Sequence, residues 1–312
     1  RFAPSPTGFL HVGNLRTALI NFLVAKKNKG EFILRLDDTD PVRSKPMYVD
    51  QIKRDLEWLG LEWDRVETQS SRIDRYHEAA SDLKKQDKLY QAFETSVELD
   101  LKRKKQLSMG LPPVYDRSAL DLTAEEIQTR ADTQTGYWRF LLNLSRTEWQ
   151  DGILSLISID TKSVSDPVLI RKDGQFLYTL ASVVDDIDMK ITHVVRGADH
   201  VTNTATQIQI MEALGKVAPS FSHHSLLTGP NGEALSKRLG TLALKDLKLA
   251  GIEPMAILSH LSKIGTSNII DLHTSISELI HDFDLTKFGS SPTKFDVKDL
   301  TPLTAKYLKT LP

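Results

Sequence analysis

The stretch RFAPSPTGFLHVGN, residues 1–14, sets His11 and Gly13 two residues apart, where a proline-rich turn gives way to the helix-like LRTALINFLVAKK. Such a junction suits a nucleotide. A helix start offers unpaired backbone N–H groups and the positive end of its dipole to phosphate. Gly13, lacking a Cβ, lets a flat base lie against the backbone, and the His11 imidazole can donate to a phosphate oxygen. A second stretch, ALSKRLG at 234–240, follows the turn-forming GPNG. Ser236 and the adjacent cations Lys237 and Arg238 suit a polyphosphate clamp, with Lys237 a point charge on developing negative charge. Taken singly, HxG fits an ordinary turn and Ser-Lys-Arg a solvated loop. Their pairing is what gives each its weight.

Both stretches need a frame that brings them together. FAP, the turn-rich loop, an apolar-periodic helix over residues 13–27 and the strand EFILRL at 31–36 read as a β-loop-α-β unit. That alternation points to an α/β chain with a parallel sheet and helices on its faces. Helices are expected at 46–59 and 70–87. From Tyr90 to Asp185 the character changes to a charged helix (ELDLKRKKQL), the break GLPP and the strand-like YWRFLLN and ILSLISI, which read as an inserted α+β domain. The α/β pattern returns with ITHVVRG, the helix TATQIQIMEALG and the strand-like FSHHSLL; after Leu242 the reading is almost all helix.

The 312 residues exceed one typical core, so more than one domain is expected. A net charge of −1 argues against coating nucleic acid by bulk charge, though a local basic face stays open. With no cysteine, disulfides, thiolate nucleophiles and cysteine-based zinc sites are excluded. No run approaches the roughly 18 apolar residues of a membrane span, and residues 1–20 lack a signal-peptide layout, so a cytoplasmic protein without membrane partners is expected. Arg1 in place of a methionine suggests a chain trimmed at its start.

The paired stretches resemble the HIGH and KMSKS signatures of class I aminoacyl-tRNA synthetases. RFAPSPTGFLHVGN, RLDDTDPVRS, SDPVLIRKDG, YTLASVVDDIDMKITHVVRGADHVTNTATQIQI, HHSLL, LSKR and GIEPMAILSHL, in this order, resemble glutamyl-tRNA synthetases over nearly the whole chain. The resemblance implies a Rossmann catalytic domain over 1–89 and 186–242, an inserted acceptor-stem-binding domain over 90–185 and a helical stem-contact domain over 243–312. An anticodon-binding domain would begin where the chain stops, so a shortened form or fragment of a longer enzyme is expected. It further implies ligation of L-glutamate to tRNA(Glu) through an adenylate, with ATP and Mg²⁺, by a monomer. Tyr-Gln-Ala-Phe stands where some relatives hold zinc with cysteines, so no zinc is expected.

By the same resemblance Arg1, Ser5, Asp37, Tyr178 and Arg196 surround the glutamate. Arg1 and Arg196 would face its side-chain carboxylate, Asp37 its ammonium, and Tyr178 and Ser5 would add hydrogen bonds. ATP would meet His11, Gly13, Asn14, Ser236 and Lys237, with His11, Lys237 and Arg238 the catalytic groups. Glutaminyl enzymes compete for the reading, and Asp37 does not separate the two. APSPTG and the cation Arg196 favour glutamate, because an arginine buried against a neutral amide would leave its charge unpaired. Two departures stand out: Asn14 replaces the last histidine of HIGH, and Ala234 the first lysine of KMSKS. Other readings are a glutamyl-queuosine-type paralogue, a nucleotidyltransferase and a silent tRNA-binding module.

The remaining polar groups invite milder readings. Asp185, Asp186 and Asp188 suggest a metal, or more simply acidic residues at a helix start. His223 and His224, adjacent on a strand, would point to opposite faces. His200 falls near both pockets by analogy, and the run at 102–105 is a solvated face or a phosphate contact.

Overall fold

The computed structural model describes residues 1–233, 235 and 243–312. Helix α1 (Val12–Lys27) carries Lys26 and Lys27 in its last turn, where cations suit the negative end of the dipole. Its Leu15, Leu19 and Leu23 are wholly buried. The chain turns back into β1 (Ile33–Leu36), buried at every position. Ahead of the helix, Phe2 bridges Leu34 in parallel, its N–H donating to Ile33 O and its carbonyl accepting from Arg35 N–H, both at 2.9 Å. The expected β-loop-α-β unit is present, with its first strand reduced to that bridge because Pro4, without an N–H, cannot extend a ladder.

Helix α2 (Pro46–Trp58) opens on a proline whose missing N–H costs nothing in a first turn. It leads to β2 (Arg65–Thr68), parallel to β1, and then to α3 (Ile73–Lys85). From β3 (Leu89–Ala92) the architecture becomes antiparallel. Here α4 (Ser96–Ser108) and α5 (Ala124–Thr133) are each opened by a Thr-Glu capping box, Thr95 with Glu98 and Thr123 with Glu126. β4 (Tyr137–Phe140) pairs with β3, β5 (Arg146–Asp151) and β6 (Ser155–Asp160) form a hairpin, and β7 (Val168–Ile170) returns to the far side of β4.

Helix α6 (Tyr178–Asp188) restores the parallel pattern: β8 (His193–Gly197), α7 (Val201–Ala213) and β9 (Ser220–His224), with Arg196 on β8 opposite His223 on β9. β10 (Leu227–Thr228) precedes α8 (Leu244–Leu249), α9 (Pro254–Lys263) and α10 (Ile276–Asp282), then β11 (Thr293–Lys294), which pairs with β10, and α11 (Leu300–Leu308). The chain is therefore α/β, with parallel strand pairs, helices and an antiparallel section between them.

One apolar cluster joins Leu15, Leu19 and Leu34 to Leu258, Leu261 and Leu300, so the late helices bury against the same core as α1 and β1. A second unites α3, β3, β4, β7, α6 and α7. The wholly buried Arg16 stitches α1 to the later chain, donating to Ser225 O at 2.7 Å and Ile264 O at 2.9 Å; burial lowers its pKa to about 10. Among the described residues no helix is long and apolar enough to cross a membrane.

Candidate active site

His11 is the N-cap of α1. Its Nδ1 accepts from Gly13 N–H at 3.1 Å and Asn14 N–H at 3.4 Å, and Asn14 Oδ1 accepts from His11 N–H at 3.5 Å. A nitrogen that accepts amides carries no proton, so the imidazole is the Nε2–H tautomer. Desolvation by the surrounding chain lowers its pKa below the ordinary histidine value, which keeps the ring neutral. This narrows the expectation of unpaired helix amides: His11 Nδ1 already takes those of Gly13 and Asn14, and the donor the imidazole itself keeps is Nε2–H. Gly13 gains a reason that the sequence did not show. A Cβ there would lie 3.0 Å from His11 Cε1 and 3.1 Å from Nδ1, so a bare glycine seats the ring.

This geometry separates two roles of His11. His11→Asn keeps a capping acceptor, but its shorter amide cannot place a donor where Nε2–H stands, whereas His11→Ala loses both. Thermal unfolding should place His11→Ala about 1 kcal/mol below the parent and His11→Asn close to it. Both variants should raise the ATP KM to a similar degree.

Ala243 bridges His11, and Leu244 N–H donates to Leu10 O at 2.9 Å, so the chain re-enters beside His11 soon after ALSKRLG. Ser236, Lys237 and Arg238 themselves lie outside the described residues.

On the other side of the loop, Pro4 O accepts from Asp37 N–H at 3.0 Å, and Ser5 is exposed. Arg1, expected to face the glutamate carboxylate, has one edge of its guanidinium occupied by the protein itself. Its Nε and Nη2 donate to the two oxygens of Asp186, each at 2.9 Å. Arg35 donates through Nη1 to Asp186 Oδ1 at 2.8 Å, and through Nε and Nη2 to Asp37 at 2.7 and 3.1 Å. Burial works to raise the Asp186 pKa, but the two guanidiniums prevail and bring it to about 2. At Asp37 burial outweighs Arg35, and the pKa is raised.

Arg196 is the exception among these cations. It donates through Nη1 to Tyr178 OH at 2.9 Å, through Nη2 to Thr204 Oγ1 at 2.6 Å and Gln207 Oε1 at 2.7 Å, and through Nε to His223 Nε2 at 3.4 Å. It is 5% exposed, and burial lowers its pKa. Among the described residues no carboxylate pairs with it. A guanidinium removed from water and held by neutral groups alone is costly, and an incoming carboxylate removes that cost. Gln207 Nε2 donates to Ser182 Oγ at 2.7 Å, and Ser182 O accepts from Arg35 at 3.5 Å. Asp37, Arg35, Asp186, Arg1, Tyr178 and Arg196 thus belong to one connected network.

The aspartates of VVDDIDM lie in the last turn of α6, not at a helix start. The dipole disfavours them there, and arginines compensate. Arg72 meets Asp185 at 2.6 Å and Asp188 at 2.7 Å, and Arg75 meets Asp188 at 3.0 Å. These partnerships occupy the carboxylates a metal would need. His223 and His224 do diverge, the latter facing Thr17 Oγ1 at 3.0 Å. The His200 ring lies 5.8 Å from that of Tyr178, and Lys102 of the basic run is tied to Asp116 at 3.0 Å.

Arg35, Ser182, Thr204, Gln207, His223 and Asp186 as an arginine partner were not found by the sequence reading. Only Arg35 left a local signal: residues two apart on a strand share a face, which aligns it with Asp37.

The model of the tRNA synthetases class I (E and Q), catalytic domain, matches residues 1–302. The chain is 67% identical over 313 residues to glutamate–tRNA ligase 2 of Ruegeria sp. (strain TM1040), covering 100% of this chain and 71% of the relative. It is 68% identical over 309 residues to glutamate–tRNA ligase 2 of Jannaschia sp. (strain CCS1), covering 99% and 69%. The crystal structure of a glutamate tRNA ligase from Elizabethkingia meningosepticum, in complex with its amino acid, matches with a TM-score of 0.89 at 32% identity, covering 100% of this chain and 69% of that one. The chain belongs to the E and Q group of class I tRNA synthetases.

Proposed function

We propose that the chain ligates L-glutamate to tRNA(Glu) at the expense of ATP. The α-carboxylate attacks the α-phosphorus in line, pyrophosphate leaves, and the resulting glutamyl-adenylate is attacked at its carbonyl by the terminal ribose hydroxyl of tRNA, releasing AMP. The observation that carries the reading is Arg196, a buried cation whose partners are Tyr178, Thr204, Gln207 and His223, none of them a carboxylate. Glutamate's side-chain carboxylate supplies the missing anion; glutamine's amide does not.

In this assignment Arg196 and Tyr178 meet the side-chain carboxylate, Asp37 takes the α-ammonium, and Ser5 adds a hydrogen bond. Arg1 contributes from its Nη1 edge, its other edge being held by Asp186. His11 donates Nε2–H to a phosphate oxygen, with Gly13 and Asn14 beside the nucleotide. Ser236, Lys237 and Arg238 neutralise the polyphosphate, as the resemblance implies. Mg²⁺ arrives with ATP as part of the substrate, since Asp185, Asp186 and Asp188 are committed to arginines. The reaction needs no protein nucleophile: positioning and charge on the phosphates carry it.

The parallel strand pairs then form a Rossmann-type catalytic domain interrupted by an acceptor-stem insertion, with a stem-contact region over 243–312. The expected end of the insertion at 185 falls inside α6, a continuous helix from Tyr178 to Asp188, so the boundary is better placed before Tyr178.

The test is transfer of labelled glutamate to tRNA. Glutamyl-tRNA(Glu) should form with ATP. Charging of tRNA(Asp) in its place, or equal use of glutamine, would overturn the reading.

A further inference from the structure

The β5–β6 hairpin meets β9 at one point of close approach. Gly152 N–H donates to Phe221 O at 2.9 Å, and a Cβ on Gly152 would collide with Ser222 Oγ, so glycine is what lets the hairpin tip lie on that strand. The docking delivers Asp151 to His223. Asp151 Oδ1 accepts from the backbone N–H of Ile153 and Leu154 at 3.0 Å each and of His223 at 3.1 Å. Its Oδ2 lies 2.5 Å from His223 Nδ1 and accepts from Trp149 Nε1 at 3.3 Å. Both side chains are 0% exposed. Burial works to raise the Asp151 pKa, but these donors prevail and hold it well below the usual carboxylate range. An ionised carboxylate only accepts, so His223 carries a proton on Nδ1, and its Nε2, which accepts from Arg196 Nε–H, carries a lone pair. That lone pair faces the Thr204 hydroxyl at 2.8 Å and Arg196 Nε–H at 3.4 Å.

We propose that Asp151 and His223 are positioning residues for Arg196: the carboxylate fixes the His223 tautomer, and the tautomer fixes the guanidinium plane that reads the substrate's side-chain carboxylate. The inference rests on the glutamate reading above. Thr204 Oγ1 has one proton and two acceptors in reach, His223 Nε2 at 2.8 Å and His200 O at 3.2 Å; given to the nearer His223, that proton leaves the oxygen free to accept from Arg196 Nη2. Arg196 is then held on Nε, on Nη2 and on one N–H of Nη1. Among the described residues the N–H left without a partner is the second one on Nη1, beside the Tyr178 hydroxyl. A residue of the inserted section thereby shapes the amino-acid pocket without touching the substrate.

Asp151→Asn separates this role from a structural one. The amide oxygen can keep the three backbone bonds, so the hairpin stays docked, while the amide NH₂ turns toward His223 Nδ1. The histidine proton must then move to Nε2, where it opposes Arg196 Nε–H. The glutamate KM should rise about 10- to 100-fold with the ATP KM unchanged, and nitrogen NMR of the histidine-labelled chain should show the proton transferred from Nδ1 to Nε2. His223→Gln can offer an amide oxygen near the place of Nε2 without help from position 151. The double variant, Asp151→Asn with His223→Gln, should therefore bind glutamate better than Asp151→Asn alone.

A parallel loss for glutamate and ATP, or a double variant worse than the single one, would overturn the proposal. The tautomer signal needs no substrate, so a proton that stays on Nδ1 in Asp151→Asn overturns the positioning role even where the glutamate reading holds. A glutamate KM indifferent to Arg196→Ala would overturn the glutamate reading and the relay's purpose with it.

Discussion

Replacing Arg196 by alanine is expected to raise the glutamate KM at least about 100-fold while the ATP KM moves by less than about twofold. The asymmetry follows from position. Arg196 projects from β8 into a nest of Tyr178, Thr204, Gln207 and His223, whereas His11, the proposed nucleotide contact, caps the start of α1. Truncation removes the one cation in the network that has no carboxylate of its own, and with it the charge-assisted bonds to the substrate. It also leaves the substrate's carboxylate buried with only Tyr178 and the Nη1 edge of Arg1, the larger part of the cost. Arg196→Lys should recover only part of the loss. An ammonium cannot hold Tyr178, Thr204 and His223 together as the planar guanidinium does. Equal losses for glutamate and ATP would place Arg196 outside the amino-acid pocket.

The largest effect on stability is expected at Asp186. It accepts from Arg1 and Arg35 together, and the side chains are 5%, 0% and 4% exposed for Arg1, Arg35 and Asp186. Asp186→Ala strands one guanidinium entirely and deprives the other of half its compensation, a loss of about 3–5 kcal/mol read as a fall in the urea midpoint. The pH dependence has a definite sign. The folded-state pKa of about 2 lies below the ordinary aspartate value of 3.8, so ionised Asp186 contributes stability that is fully present above the unfolded value and is lost as pH falls through the folded one. Acid titration of the midpoint should show that loss between the two values in the parent. In Asp186→Ala that part of the titration should be missing.

How much of this was readable beforehand depended on sequence distance. His11 and Gly13 declared themselves because cap, turn and helix are contiguous, and the strands and helices around them follow from local periodicity. What the cap does with its amides was hidden, since HxG does not say which way the imidazole turns. The pocket's wiring was hidden too: Arg35 meets Asp186 across 151 positions and Gln69 meets Asp185 across 116. The aspartate cluster was assigned to the wrong end of its helix for a physical reason. α6 begins after Leu177 with no side-chain cap, so the strongest local signal, a run of acids, pointed to a helix start where there was a helix end. Arg1 meets Asp186 along one edge of its guanidinium, across 185 positions, and nothing near it in sequence announces that partner.

The claim on which the rest depends is that a buried, carboxylate-free guanidinium selects glutamate. Exchange of pyrophosphate into ATP, with tRNA(Glu) saturating and either glutamate or glutamine supplied, tests it most directly. The account predicts kcat/KM for glutamate at least about 1,000-fold above that for glutamine, a preference that largely disappears in Arg196→Ala. Comparable exchange with both amino acids, or a preference that survives the loss of Arg196 intact, would contradict it.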